Sequence, residues 1–224
     1  MSGYPVPARA TQKEIRRKKS RFIAVLDRAS DVDEAEVLVQ RVKELYPDAT
    51  HHVPAYIIGH GASKITHTHD DGEPSGTAGR PALSVLEGSG LGDVVLVITR
   101  YFGGTKLGTG GLVRAYSDAA RAVTNSVPRA YRVQAHILHL CIPYPLYETL
   151  ERIIQKYRGQ VVEETFTDRV RLKLKIPAAS YQDFREQCLN TSSGSIEPKI
   201  LKKNVSATLT STHVSRSITY APHA

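Results

Sequence analysis

The chain contains few cysteines and no long apolar run. Its two cysteines, Cys141 and Cys188, lie in apolar sequence, and they are too few to indicate a disulfide framework or a zinc site. We expect both to be buried thiols. No segment offers the ~20 apolar residues that a membrane span requires, and the stretch MSGYPVPARATQ lacks the apolar core of a signal peptide. These absences predict a cytoplasmic protein.

Basic residues outnumber acidic ones. Thirty Lys and Arg against 22 Asp and Glu give a formal charge of +8 over 224 residues, which favours polyanionic partners such as RNA or the ribosome. A basic, solvated surface without a ligand is the competing interpretation. With 41% hydrophobic residues, the chain is long enough for one large or two small packed domains.

Glycines crowd one short stretch. Five of the sixteen lie within nine positions, at Gly103, Gly104, Gly108, Gly110 and Gly111. The preceding apolar run, Val94 to Ile98, is typical of a strand buried on both faces. Apolar residues then recur at three-four spacing from Leu112 to Val123, as on one stripe of a helix. A strand, a glycine turn and a helix together point backbone amides at any anion above the turn.

Cations and aromatic rings accompany this turn. Arg100, Lys106 and Arg114 flank it, while Tyr101, Phe102 and Tyr116 supply flat faces that can stack on a base. We predict that the turn amides and the three cations hold phosphates while Tyr101 or Phe102 stacks. In the alternative interpretation, Tyr101 and Tyr116 pack in the core and the cations pair with Asp70, Asp71 or Asp118.

A polar loop from Gly59 to Gly79 precedes the strand and is too long to be a simple connector. It can hydrogen-bond a polar ligand, or its side chains can merely close turns; the residues concerned are Asp71, Glu73, Ser75, Thr77 and Arg80. His67, His69 and Asp70 add metal-ligating types, but the spacing is not diagnostic and we expect no metal.

Catalytic motifs are weak. The glycine turn fits neither the P-loop nor the dinucleotide fingerprint, and no nucleophile has an identified base. We therefore expect no cofactor and do not expect catalysis. A phosphate- or nucleotide-handling enzyme, with a site between the Asp71–Arg80 loop and the Gly103–Gly111 turn, remains the alternative.

The patterns predict an α+β fold. After an irregular start over residues 1–12 and a basic run over 13–21, we expect a strand at 22–25, a helix capped by Ser30 or Asp31 and ended by Pro47, a strand at 51–59 and a helix at 80–88. The glycine-turn strand and helix complete a first domain, residues 1–127.

The second domain, residues 128–203, shows a βαββαβ order that is typical of a ferredoxin-like arrangement. Its elements are expected at 131–142, 145–157, 160–167, 169–176, 178–189 and 196–203. Apolar residues from Val170 to Ile176 alternate with Arg171, Lys173 and Lys175, which predicts a second basic surface. The tail 204–224 either adds an edge strand or hangs free.

Four strings carry a family resemblance: KKSRFIA, DGEPSGTAGRP, TRYFGG and KLGTGGLVRAY. In order and spacing they resemble the YigZ/IMPACT family, closely over residues 15–125. The resemblance implies a first domain like the second domain of a small-subunit ribosomal protein and a second domain similar to one of elongation factor G. Many relatives have His-Asn-Cys where this chain has His51, His52 and Val53, so a role tied to that cysteine is not carried over.

The family resemblance also bears on function. Eukaryotic relatives act in translational control by competing for a regulator of an initiation-factor kinase, whereas the second domain resembles the bacterial type, so that partner is not carried over. We therefore expect a cytosolic protein that binds RNA or the ribosome and regulates translation. A protein-interaction module without RNA is the third hypothesis.

Overall fold

A computed structural model describes residues 3–210 and 218–220 of the chain. These residues form an α+β protein with two compact units, the first covering Tyr4–Arg129 and the second beginning at Ala130. Each unit has a largely antiparallel sheet covered by helices. The predicted fold class is thereby confirmed.

The first unit contains a five-stranded antiparallel sheet. Strand β1 (Gly3–Pro7) precedes it in the chain. From one edge to the other the sheet runs β2 (Thr11–Arg17), β3 (Ser20–Arg28), β6 (Val94–Tyr101), β4 (His51–Ile58) and β5 (Ile65–Thr68). Central β6 pairs with β3 and with β4, so the glycine turn leaves from the middle of the sheet.

Helices cover both faces of this sheet. Helix α1 (Val32–Leu45) packs Ala35, Leu38 and Val42 against one face, and Asp31 caps it by accepting the Glu34 amide. Helices α2 (Gly79–Gly88) and α3 (Thr109–Thr124) cover the other face. Residues Val94 to Ile98 are therefore 0% exposed, which is why this part of β6 is continuously apolar although its neighbours are antiparallel.

Two strands of the first unit depart from the sequence-based expectation. Residues 11–17 form β2, although the sequence predicted only the end of an irregular start and the beginning of a basic run there. This strand pairs with β3 from Thr11 opposite Leu26 to Arg17 opposite Ser20. The polar loop contains β5, which pairs with β4. Both strands are largely solvent-exposed, so neither has the apolar alternation that reveals a half-buried strand.

The second unit has the predicted βαββαβ order. Its elements are β7 (Arg129–Ile142), α4 (Tyr147–Lys156), β8 (Gln160–Phe166), β9 (Val170–Pro177), α5 (Tyr181–Thr191) and β10 (Lys199–Thr210). The strands lie in the order β10-β7-β9-β8, and a short strand β11 (Ile218–Tyr220) pairs parallel to β8. This is a ferredoxin-like arrangement. Strand β10 continues through residue 204, where a separate tail was expected to begin; residues 211–217 and 221–224 lie outside the described residues.

The core of the second unit contains the alternating apolar side chains of β9. Val170, Leu172, Leu174 and Ile176 are at most 1% exposed and pack with Leu150 and Phe184 from the two helices. Cys188 is buried beside them, whereas Cys141 is partly exposed; both are free thiols. Burial raises the pKa of the Cys188 thiol to about 12, so this cysteine is an unreactive core residue.

Candidate nucleic-acid interface at the glycine turn

The glycine turn, residues 102–108, connects the end of β6 to the start of α3. Gly104 and Gly108 have φ angles of 76° and 77°, which other residues reach only with strain. Gly103 is required for a different reason: an added Cβ would lie 1.9 Å from the Lys19 carbonyl oxygen. Because Gly103 lacks a side chain, the glycine turn packs directly on the turn between β2 and β3.

This contact brings cations of the β2–β3 turn beside the glycine turn, and a further exposed cation lies on the helix that follows. Lys18 and Lys19 come from the β2–β3 turn, Lys106 from the glycine turn and Arg114 from the second turn of α3, and all four are exposed. The Lys18 ammonium donates to the Lys106 carbonyl oxygen at 3.2 Å. Within the described part of the chain, none of the four forms an ion pair. We call these four residues the glycine-turn patch.

The patch lies beside the N-terminus of α3. Gly108 occupies the N-cap position, and no side chain among the described residues caps the first-turn amides. The N–H groups of Thr109, Gly110 and Gly111 begin the helix, and such groups have no partner inside it. Together with the partial positive charge of the helix end, they favour a bound anion.

Arg100 does not belong to this surface, contrary to expectation. It is 4% exposed and donates to the Glu73 carboxylate at 2.5 Å and to the Ser20 hydroxyl at 3.3 Å. Its guanidinium also lies 5.5 Å from the ring centres of Phe22 and Phe102. The sequence placed Arg100 at the exit of β6, but the side chain points into a buried network instead of toward a ligand.

The three aromatic residues have different environments. Tyr116 is fully buried and donates to Glu73 at 2.8 Å, and burial together with the Glu73 carboxylate raises the pKa of Tyr116. Tyr101 is partly buried with Arg21 over its ring. Phe102 is 46% exposed. Of the three rings, only Phe102 therefore presents a large face to a stacking ligand.

The polar loop is organised by its own acidic residues. Asp70 accepts the amides of Gly76, Ala78 and Gly79 at 2.8, 3.1 and 2.8 Å, at the start of α2. Burial raises the pKa of Asp70, but these three hydrogen bonds outweigh it and hold the pKa below its ordinary value. The Asp70 carboxylate thus fills the anion-binding concavity that the loop amides form.

The remaining predicted loop residues divide between buried and exposed positions. Asp71 accepts the His52 amide at 2.6 Å, and its carbonyl lies 2.7 Å from His51 Nδ1. The Thr77 hydroxyl donates to the Pro74 carbonyl at 2.6 Å. Ser75 and Arg80 are exposed. The expected ligand-binding set therefore does not converge: Asp71, Glu73 and Thr77 hold the loop, while Ser75 and Arg80 face solvent.

The histidines of this region are engaged separately. His67 stacks on Tyr56 with 5.0 Å between ring centres, His69 Nδ1 accepts the Asp71 amide, and His51 Nε2 lies 3.8 Å from Glu73. Burial lowers the pKa of His52. Across residues 3–210 and 218–220, no group of three or more His, Cys, Asp or Glu is arranged to hold a metal.

The second basic surface lies on β9. Its three cations, Arg171, Lys173 and Lys175, alternate with the buried residues as predicted. Lys173 pairs with Glu163 at 2.7 Å and Arg171 lies 3.8 Å from Asp168, whereas the described residues give Lys175 no ion pair. Among the described residues, this row therefore has fewer cations without an ion pair than the glycine-turn patch.

The site residues predicted from the sequence did not include Lys18, Lys19 or Ser20, although the two lysines lie in the basic run over residues 13–21. Lys18 and Lys19 belong to the patch, and the Ser20 hydroxyl contacts both Arg100 and the Gly103 amide. The signal was present in the string KKSRFIA. The contact between the β2–β3 turn and the glycine turn brings that string and TRYFGG together in the structure.

No described helix is both long and apolar enough to cross a bilayer.

Comparison with known proteins identifies both units. The family model of the Impact N-terminal domain matches residues 18–124, and the model named domain of unknown function (DUF1949) matches residues 140–195. The first match contains the β2–β3 turn, the polar loop and the glycine turn. The second spans most of the ferredoxin-like unit.

Relatives match along nearly the whole chain. An IMPACT family member of Haemophilus influenzae is 33% identical over 203 residues, 90% of this chain and 98% of the relative. IMPACT family member YigZ of Escherichia coli is 33% identical over 88% of this chain and 97% of its own length. A solved structure described as that of a hypothetical protein has a TM-score of 0.60 and 32% identity, covering 90% of this chain and 98% of its own. The chain therefore belongs to the IMPACT family.

Proposed function

We propose that this protein binds RNA through the glycine-turn patch and acts in translation, on the ribosome or on a factor that works with it. One observation carries the binding proposal: the contact between the two turns brings Lys18 and Lys19 beside Lys106, ahead of Arg114 on α3, and none of these exposed cations has a paired carboxylate among the described residues. The translational role follows the family resemblance.

The geometry favours binding to the nucleic-acid backbone. Phosphates would lie over the first-turn amides of α3, with Lys18, Lys19, Lys106 and Arg114 neutralising their charge. The exposed ring of Phe102 would stack on one unpaired base. Main-chain amides and lysines read no base edges, so we expect little preference for sequence.

The row on β9 is proposed as a second, weaker contact. Lys175 is its cation without an ion pair among the described residues, while Lys173 and Arg171 have acidic neighbours. A ligand that engaged both basic surfaces would gain affinity from two weak sites.

The enzymatic alternative has less support. An acid–base or phosphate-transferring site needs an accessible group near the loop and the turn. Glu73 is 8% exposed and engaged by Arg100 and Tyr116, and Asp70 is occupied by three amides. We therefore assign the polar loop a structural role that supports the binding surface.

The test compares two double variants of equal charge change. Lys19→Ala with Lys106→Ala alters the patch, while Lys43→Ala with Lys64→Ala removes two lysines elsewhere in the same unit, on α1 and before β5. With a fluorescent single-stranded RNA of about 10 nucleotides, we expect the patch variant to bind about tenfold more weakly at ~0.1 M salt, and the control variant to bind nearly as wild type.

Equal losses in the two variants would mean that RNA responds to net charge alone, and the assignment of the patch would be wrong. Unchanged binding by the patch variant would have the same consequence. Because Lys19 and Lys106 are exposed, thermal melting of the first unit should not change, which separates a binding effect from unfolding.

A further inference from the structure

A groove of about 580 Å³ lies away from the patch, on the face of the first sheet that α1 covers. Helix α1 packs over the middle strands, so the face of β4 and β5 beyond it is open. The groove lies between the side of α1 and this open face of β4 and β5. The residues that matter for its chemistry are Asp33, Glu36, Val37, Pro54, Tyr56 and His67.

The groove is acidic on a basic protein. Asp33 and Glu36 are exposed, and over the described ranges neither has an ion pair. Glu36 and Tyr56 both line the groove, and burial and then the nearby Glu36 carboxylate raise the pKa of Tyr56. A chain of net charge +8 thus presents a local negative surface, and charge complementarity selects a cationic partner.

The groove borders a free strand edge. Strand β5 is the outer strand of its sheet, and the His69 amide donates to the Pro54 carbonyl, directly beyond the register that pairs Ala55 with Thr68. Hydrogen-bonded and non-bonded pairs alternate in an antiparallel ladder. His67 therefore bonds to β4, whereas the N–H and C=O groups of Thr66 and Thr68 point outward to the free edge.

Apolar side chains flank this edge as well. Ile65 on β5 is 55% exposed and Val37 on α1 is 59% exposed. An edge strand with unpaired backbone groups is a template for another strand, and apolar side chains at its side add contact area.

We propose that the β5 edge and the acidic groove bind an extended segment of another protein, in which Lys or Arg alternates with apolar residues. The segment would add as a strand beside β5 through Thr66 and Thr68. Its side chains on the α1 face would direct their cations at Asp33 and Glu36. This site shares no residue with the glycine-turn patch, so it stands or fails independently of RNA binding.

The test uses a defined peptide, blocked Lys-Val-Lys-Val-Lys-Val, and records the amide NMR signals of the full-length protein during titration. We expect the signals of Thr66 and Thr68 to shift most. Glu36→Lys should weaken binding about tenfold, because it replaces an attraction with a repulsion, while Glu44→Lys, on the same helix but outside the groove, should have little effect.

Thr66→Pro tests the strand addition. Its N–H does not bond to β4, so proline at this edge position removes only the outward donor. We expect about tenfold weaker peptide binding with unchanged signals for the β4–β6 core.

Four outcomes would overturn the proposal. The peptide could fail to shift Thr66 and Thr68, or a Glu-Val peptide of the same length could bind there equally well. Thr66→Pro could leave peptide affinity unchanged. Sedimentation could instead reveal a dimer that Thr66→Pro abolishes, which would make a second copy of this chain the occupant.

Discussion

The burial of Arg100 decides which cations of the glycine turn can contact a ligand. Its side chain is 5% exposed beside a Glu73 carboxylate that is 3% exposed, and Tyr116 donates to the same oxygen of Glu73. A charge removed from water is tolerated only when it is paired and hydrogen-bonded. Arg100 and Glu73 therefore depend on each other inside the fold, whereas Lys18, Lys19 and Lys106 are exposed to solvent.

We predict that Arg100→Ala destabilises the first unit by about 3–5 kcal/mol, because it leaves the Glu73 carboxylate buried without its cation. Urea unfolding followed by circular dichroism measures this loss. Arg114→Ala, an exposed cation on α3, is the matched control and should change the unfolding free energy by less than about 0.5 kcal/mol.

A second pair of variants tests the coupling. Arg100→Met with Glu73→Gln should lose less stability than the two single changes together, since neither charge is then left alone. If Arg100→Ala unfolds at the same urea concentration as wild type, the buried Glu73 carboxylate does not need Arg100 as its cation.

The sequence could indicate the residue types of this network but not its pairing. Glu73 and Arg100 are separated by 27 positions, and nothing in their spacing places one opposite the other. The sequence also left open that the cations of the glycine turn pair with Asp118. In the structure this carboxylate pairs with Arg17 and Arg121 instead, at 2.8 and 3.0 Å.

At the scale of elements, the polar loop and the start of α2 form one unit around Asp70. Helix α2 has no side-chain cap at its own N-cap position, Ala78, so Asp70 supplies the acceptor from eight positions earlier. The loop is thereby fixed over Gly79, where a Cβ would lie 2.4 Å from the Thr68 hydroxyl.

Asp70→Asn should lower the unfolding free energy by about 1 kcal/mol at pH 7, because hydrogen bonds to a carboxylate are stronger than those to a neutral amide oxygen. The lowered pKa of Asp70 makes the effect pH-dependent. The carboxylate's contribution is complete above its unfolded pKa of about 3.9 and is lost as the pH falls through the folded pKa.

The difference between wild type and Asp70→Asn should therefore shrink between pH 7 and pH 3, as measured by urea unfolding at both values. Asp48→Asn, an exposed carboxylate, serves as the control. A difference that stays constant across this range would contradict the account of Asp70.

Elements were predictable where burial imposes a pattern. Residues Val94 to Ile98 and the alternation in β9 follow directly from which faces meet the core. Strand β2 contains one apolar residue, Ile15, among six polar ones, and β5 has only four residues. Pairing with a neighbour makes these segments strands, and no local pattern reveals that.

At the scale of the molecule, the first unit carries surfaces of opposite charge. The glycine-turn patch lies where α3 begins, and the acidic groove lies beside α1, which covers the other face of the sheet. The net charge of +8 conceals this division. An RNA and a basic protein segment could bind the unit together, since the two sites share no residues.

The salt dependence of RNA binding tests the central claim most directly. For four phosphate contacts to a single strand, the slope of log K against log salt should be about −3, and Lys19→Ala with Lys106→Ala should reduce its magnitude by about 1.4. A slope that is the same in wild type and variant, or an affinity that salt does not change, would contradict the assignment of the glycine-turn patch.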